Sequence, residues 1–330
     1  MRRNVSLDAG FALVRTRREL LDDGCTSRGI ESAVADGSLR RLQPNRYVED
    51  SVWRELWPES RHRLEIASAF GQMRTDAAVA AYASAAAVWE LPLARHVPTA
   101  VHVVLPNGAR ASSRPGLVRH TDAIGEDDIV EVAGIRCTSL ERTVVDVART
   151  LPFETSVALV DAALRRVAMR GRRYDKGLAA QWREGVLDRL DRMPGARGVR
   201  RARGVALFAD GRAELPGESI TRVRLRQLGF TRFHLQVPVR SPSGGGYEVD
   251  IGLDEAKALL EFDGKGKYLD AAMRDGLSLE DVLLAEKRRE DWIRGVTQCR
   301  FGRVEDAHIT TPAALGTRLA AYGIRPPRKR

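Results

Sequence analysis

Two stretches near the C-terminus, Tyr247-Glu248-Val249-Asp250-Ile251-Gly252-Leu253 and Lys257-Ala258-Leu259-Leu260-Glu261-Phe262-Asp263, carry acids at an alternating spacing. Successive side chains of a strand leave on opposite faces, so Glu261 and Asp263 share one face and Leu260 and Phe262 the other. If Glu255 and Ala256 form a two-residue turn, residues pairing across the hairpin sum to 511 and Asp250 lies opposite Glu261. Three carboxylates this close repel one another unless a cation sits among them, and all-oxygen donors suit Mg²⁺ or Mn²⁺. Glu218, in Leu215-Pro216-Gly217-Glu218-Ser219, opens a helix that can bring a fourth carboxylate. The expected metal set is therefore Glu218, Asp250, Glu261 and Asp263. Lys265, Lys267 and Lys287 follow, three of only six lysines in the chain. A lysine ammonium beside a metal-bound water helps form hydroxide while the metal withdraws charge from a phosphate oxygen. Asp250, Glu261, Lys265, Lys267 and Lys287 make up the expected catalytic set, and its chemistry is phosphodiester hydrolysis.

A second constellation lies at the N-terminus. Thr16-Arg17-Arg18-Glu19 has the spacing of a capping box, Asp23-Gly24-Cys25 reads as a turn, and Thr26 caps a second helix with Ile30, Ala33 and Val34 on its apolar stripe, ending at Gly37. Leu39-Arg40-Arg41-Leu42 and Arg46-Tyr47-Val48 flank Gln43-Pro44-Asn45 as two short strands around a turn. Helix, turn, helix and wing place the start of the second helix in a major groove, with Ser27, Arg28, Glu31 and Ser32 at base edges and Arg40, Arg41 and Arg46 on phosphates.

The elements that must hold these residues fill 330 positions, enough for two or three domains. Apolar residues are 43% of the chain, which excludes wholesale disorder, and the formal charge of +10 favours a polyanionic partner such as DNA. The excess is concentrated: residues 161–203 hold thirteen cations and five acids. Arg165, Arg166, Arg170, Arg172 and Arg173 form a cationic face suited to a nucleic-acid backbone. Val101–Leu105, Gly116–His120, Ile129–Val132 and Ile135–Cys137 read as strands, with a turn at Asn107-Gly108, and helical spacing follows over 144–148 and 157–167. His96, His102 and His120 lack metal-ligand spacing, His308 has no visible partner, and Trp292 and Phe301 read as core. Cys25, Cys137 and Cys299 are too few and too scattered for a disulfide scaffold, and no apolar run reaches membrane-spanning length. A cytoplasmic protein without a membrane partner is the expectation.

Val14 to Val48 resembles the N-terminal domain of AbiEi-family antitoxins, and the likeness continues through Ser84-Ala85-Ala86-Ala87-Val88-Trp89-Glu90-Leu91-Pro92-Leu93 and Thr138-Ser139-Leu140-Glu141-Arg142-Thr143-Val144-Val145-Asp146. That resemblance implies a winged-helix repressor of its own operon, paired with a nucleotidyltransferase toxin. The last third resembles very-short-patch-repair-like domains of the PD-(D/E)XK nuclease superfamily, through Pro216-Gly217-Glu218-Ser219, Leu235-Gln236-Val237-Pro238-Val239, Val249-Asp250, Glu261-Phe262-Asp263-Gly264, Lys267-Tyr268 and Glu286-Lys287-Arg288-Arg289-Glu290-Asp291. It implies that Glu218, Asp250 and Glu261 hold the metal, although Asp263 stands where that superfamily has lysine. The expected fold is α+β / α/β multidomain: a winged helix-turn-helix over 1–55, a mixed α/β middle domain over 56–160, a basic helical connector over 161–204 and a restriction-endonuclease-like α/β domain over 205–330. The main functional expectation is a DNA-binding Mg-dependent endonuclease. Its alternative is a non-enzymatic repressor or antitoxin of a type IV toxin-antitoxin system with a degenerate nuclease fold.

Overall fold

The computed structural model describes residues 3–73, 78–105, 113–242, 244–264 and 278–327. In chain order the elements are α1 (Leu7–Leu13), β1 (Arg15–Thr16), α2 (Arg17–Asp22), α3 (Ser27–Ala35), β2 (Leu39–Gln43), β3 (Arg46–Glu49), α4 (Asp50–Glu55), α5 (Pro58–Phe70), β4 (Val79–Ala80), α6 (Tyr82–Val88), β5 (Val101–Val104), β6 (Leu117–His120), β7 (Ile129–Val132), β8 (Ile135–Thr138), α7 (Leu140–Thr150), α8 (Phe153–Ala168), β9 (Met169–Arg170), β10 (Arg173–Tyr174), α9 (Lys176–Asp191), α10 (Val199–Phe208), α11 (Pro216–Gln227), β11 (Phe233–Arg240), β12 (Gly246–Leu253), β13 (Ala258–Phe262), α12 (Leu279–Thr297), β14 (Arg300–Val304) and α13 (Pro312–Ala321). The chain is thus mixed α+β, and it forms two compact units: Met1–Leu159 with Gln181–Leu207, and Val160–Ala180 with Phe208–Arg330. Among the described residues no helix is long and apolar enough to cross a membrane.

The first unit begins with the capping box read from sequence: Glu19 N donates to Thr16 Oγ1 at 3.1 Å and Thr16 N donates to Glu19 Oε2 at 2.6 Å. Thr26 accepts from Gly29 N at 3.0 Å and starts α3, which ends at Ala35, two residues earlier than expected, before Gly37 takes φ +80. β3 lies between β1 and β2 in an antiparallel three-stranded sheet. Val5, Val14, Val48, Leu56 and Leu64 form the core beneath it. The remaining sheet of this unit has the order β6-β5-β4-β8-β7. Its β7–β8 turn is Ala133 and Gly134, both at positive φ, the conformation that a two-residue hairpin with right-handed strand twist requires. The expected Asn107-Gly108 turn lies outside the described residues.

The second unit carries the sheet β11-β12-β13-β14. β11, β12 and β13 run antiparallel in sequence, and β14 joins β13 in parallel, which needs a crossover here containing α12. Ile251 pairs with Leu260, Gly252 with Leu259 and Leu253 with Ala258, so the register summing to 511 is present. The loop differs from expectation, because Asp254–Ala256 form a 3-10 turn and Lys257 adopts φ +45, making four residues rather than two. Glu255 leaves the turn to accept from Thr231 N, Arg232 N and Thr231 Oγ1, and this anchorage favours the longer loop. Gly217 lets α11 approach β13 closely: a Cβ there would sit 2.0 Å from the Phe262 ring.

Two side chains depart from their expected settings. Trp292 is 38% exposed rather than core, since its indole N–H reaches outward to Arg240 O at 2.8 Å, whereas Phe301 is buried. His308 is not without a partner, because its Nδ1 accepts from Glu305 N at 3.0 Å and caps a 3-10 turn.

Candidate functional site

The β12–β13 register just described runs to Ile251 and Leu260, next to Asp250 and Glu261, and Phe262 N donates to Asp250 Oδ2 at 2.8 Å. Glu218 is 2% exposed on the first turn of α11, where its carboxylate accepts from Glu214 N at 2.9 Å and Leu215 N at 3.2 Å. Burial, and then the neighbouring Asp250 charge, push its carboxyl up to about 8.

Sequence reasoning missed the cations of this cluster. Parallel pairing sets Arg303 of β14 beside Glu261 of β13. The Arg303 guanidinium lies 3.5 Å from Glu261, 3.1 Å from Asp263, 2.6 Å from Glu286 and 2.9 Å from Glu290. Arg289 of α12 reaches the other Glu261 oxygen at 2.5 Å and Glu286 at 3.1 Å. Burial nevertheless leaves the Glu261 carboxyl above its ordinary range, with Arg289 opposing that rise. The signal available beforehand was the acid–base run Glu286 to Asp291, which reads as a solvated helix face.

This arrangement does not fit the expected Mg²⁺ or Mn²⁺. Both Glu261 oxygens are taken by guanidiniums, Glu218 caps its own helix, and among the described residues no three His, Cys, Asp or Glu side chains are disposed to hold a metal. Lys265 and Lys267 lie outside the described residues, and Lys287 is exposed on α12.

The Glu218 setting predicts a pH dependence. With a folded value of about 8 against 4.5 for the unfolded carboxyl, the folded chain keeps a proton the unfolded chain loses, so this contribution to stability is fully present below 4.5 and is lost as pH rises through about 8. Asp250→Asn removes the neighbouring charge while keeping an acceptor for Phe262 N. We expect Glu218 to titrate lower in that variant by carboxyl NMR, and an unmoved titration would assign the shift to burial alone.

The other constellation sits on the first unit. Ser27, Arg28, Glu31 and Ser32 are all exposed on α3, with Ile30 buried behind them. Arg40 is tied to Asp50 Oδ1 at 2.8 Å, Arg41 lies 5.7 Å from the Tyr47 ring centroid, and Arg46 donates to Gly71 O at 2.7 Å. All three arginines thus make contacts within the first unit. An open cleft of about 650 Å³ between α2 and the β2–β3 turn adds Arg17 and Arg18, which sequence reasoning did not select.

The middle of this unit gathers side chains that spacing did not connect. Parallel pairing of β5 with β6 brings His102 Nδ1 to 2.8 Å from His120 Nε2, and Tyr82, at φ +54, stacks on His120 and donates to Asp122 at 2.5 Å. Burial, and next the His120 charge, lower His102 to about 4. Arg142 joins Asp146 at 2.8 Å and Asp128 at 3.3 Å, and Arg189 closes on Asp128 at 2.5 Å.

These features define a mixed α+β chain bearing an exposed polar face on α3 and a carboxylate cluster faced by Arg289 and Arg303. Residues 78–204, from β4 through most of α10, match the family described as AbiEi antitoxin C-terminal domain. The likeness read at 84–93 and 138–146 falls inside that match, and Val14 to Val48 lies before it. Over 186 residues the chain is 30% identical to an uncharacterized protein of Mycobacterium tuberculosis, found in strains CDC 1551 / Oshkosh and ATCC 25618 / H37Rv, covering 56% of this chain. The alignment spans 62% of the length of these relatives.

Proposed function

We propose that the chain is a non-enzymatic DNA-binding regulator of the antitoxin class, in which residues 1–55 act as a winged helix-turn-helix on duplex DNA and the following segment engages a toxin, by resemblance a nucleotidyltransferase. The observation that carries this reading is the match of 78–204 to an antitoxin C-terminal domain. It is supported by the element order α1-β1-α2-α3-β2-β3 ahead of that segment and by the four exposed polar residues opening α3. Within the proposal 56–160 is the middle domain, 161–204 the basic connector and 205–330 a nuclease-like fold.

One observation favours a second reading, hydrolysis by the second unit. The α11-β11-β12-β13-α12-β14 order, the 511 register up to Ile251 with Leu260, and the effect of the Asp250 charge on Glu218 support it. Hydrolysis there requires Arg289 and Arg303 to release Glu261.

A single set of proteins separates the two. Mobility shift on DNA upstream of the chain's own reading frame should show specific binding by the wild type, and Arg28→Ala should lose roughly 1–3 kcal/mol of discrimination, about 5- to 150-fold. Plasmid incubated with Mg²⁺ or Mn²⁺ should stay intact with the wild type, Asp250→Ala and Glu261→Ala alike. Cutting by the wild type alone would install the second reading, and binding indifferent to sequence in wild type and Arg28→Ala would remove the first.

A further inference from the structure

In the second unit, Met169-Arg170-Gly171-Arg172-Arg173-Tyr174 folds into a β-hairpin, with Arg173 paired to Arg170 and Tyr174 to Met169. Gly171 takes φ +60, which suits the first position of a two-residue hairpin turn, and a Cβ there would meet nothing within 4 Å. The alternation sorts the side chains: Met169 and Tyr174 are half-buried, and Arg170, Arg172 and Arg173 are exposed. Arg166 and Lys176 are exposed just before and after.

The nearby acid is otherwise engaged. Asp175 Oδ1 accepts from Gly177 N at 2.9 Å and Leu178 N at 3.1 Å to start α9. Arg170 donates to the carbonyls of Val167 and Met169, a bond to backbone that leaves its charge uncompensated. Among the described residues no carboxylate pairs with Arg170, Arg172 or Arg173. Like charges directly opposite in a hairpin are destabilising, so the Arg170–Arg173 pair opposes local folding. A hairpin tip with guanidiniums and no paired carboxylate among the described residues is a ready partner for a row of phosphates, because arginine pairs with phosphate through its planar fork.

We infer that this arginine-tipped hairpin grips the phosphate backbone of duplex DNA, as a sequence-independent contact of the second unit separate from the α3 surface. The choice of duplex DNA rests on the proposed reading of the first unit; the phosphate chemistry rests on the hairpin alone. Contacts of this kind strengthen binding without specifying sequence, and each is reported by the salt dependence of affinity.

The test uses the full chain and a fluorescent mixed-sequence 30-base-pair duplex, with affinity measured across a series of salt concentrations. Arg170→Ala/Arg172→Ala/Arg173→Ala should weaken binding to all duplexes equally and reduce the log–log salt slope by about 2.7, at ~0.9 per phosphate contact. Gly171→Val keeps every charge but disfavours the turn, so it should lower affinity as well, and an unchanged thermal melt confirms that both variants fold. A salt slope equal to wild type in the triple variant, or full affinity in Gly171→Val, overturns the hairpin as a shaped contact. Displacement of the duplex by a lower concentration of equally long single-stranded RNA overturns the choice of DNA. Arg28→Ala, run alongside, should lose discrimination but keep the hairpin's share of the slope, so failure of the first-unit reading is seen separately.

Discussion

Arg303→Met is expected to lower the stability of the second unit by about 3 kcal/mol, the lower end of what removing one partner from a buried ion pair does, because the guanidinium is still 19% exposed. The physical reason is the number of acids it serves. Glu261, Asp263, Glu286 and Glu290 all lie within ion-pair distance of this one group, and methionine fills its volume without its charge. The four acids would then repel one another, with Arg289 alone facing Glu261 and Glu286. The variant should also gain a property absent from the wild type. Oxygen donors freed from guanidinium attract a hard cation, so Mn²⁺ or Mg²⁺ at about 100 times its dissociation constant should return roughly 2.7 kcal/mol. Denaturant unfolding with and without divalent ion measures both effects. A variant as stable as the wild type would mean that Arg289 suffices, and wild-type protein stabilised by the same ion would reverse the conclusion that the cluster is closed to metal.

Arg222→Met is expected to lose more, about 3–5 kcal/mol, since here both partners are almost wholly enclosed. Arg222 Nη1 lies 2.7 Å from Asp161 Oδ2, with side-chain exposures of 4% and 1%. Its other amino group donates to Phe208 O at 2.7 Å, and its guanidinium stands 4.7 Å from the Phe208 ring centroid. Asp161 in turn accepts from Asp210 N at 2.7 Å, so it ties α8 to the segment before α11. Burial already raises the Asp161 carboxyl against the pull of Arg222, and removing the arginine would raise it further. The loss should therefore shrink as pH falls. Asp161→Leu combined with Arg222→Met removes both charges and should recover much of the difference, which a double-mutant cycle followed by thermal melting can establish. Additive losses would show that the two side chains act separately.

The local devices were legible because each is written within a few residues. Thr16 with Glu19, Thr26 with Gly29, and Pro216-Gly217-Glu218 at the start of α11 are short-range arrangements of side chain and backbone amide, and they stand where their spacing puts them. The 511 register follows from a turn centred between Glu255 and Ala256, and the observed four-residue loop Asp254 to Lys257 keeps that centre and therefore that register. The loop that closes it was not legible, because Glu255 is drawn off by Thr231, twenty-four positions away.

The sequence by itself determined a mixed α+β chain, a pair of capped helices ahead of two short strands, a cationic segment near 170, and the register of the hairpin whose strands carry the acids. Only the tertiary structure decided what those acids face. Parallel pairing of β13 with β14 sets Glu261 against Arg303, forty-two positions apart, and the crossover helix adds Arg289, so guanidinium occupies the place that spacing assigned to a divalent ion. Capping and alternation are fixed by neighbours along the chain, whereas the counter-charge of a buried acid is whichever cation the packing of distant strands and helices delivers.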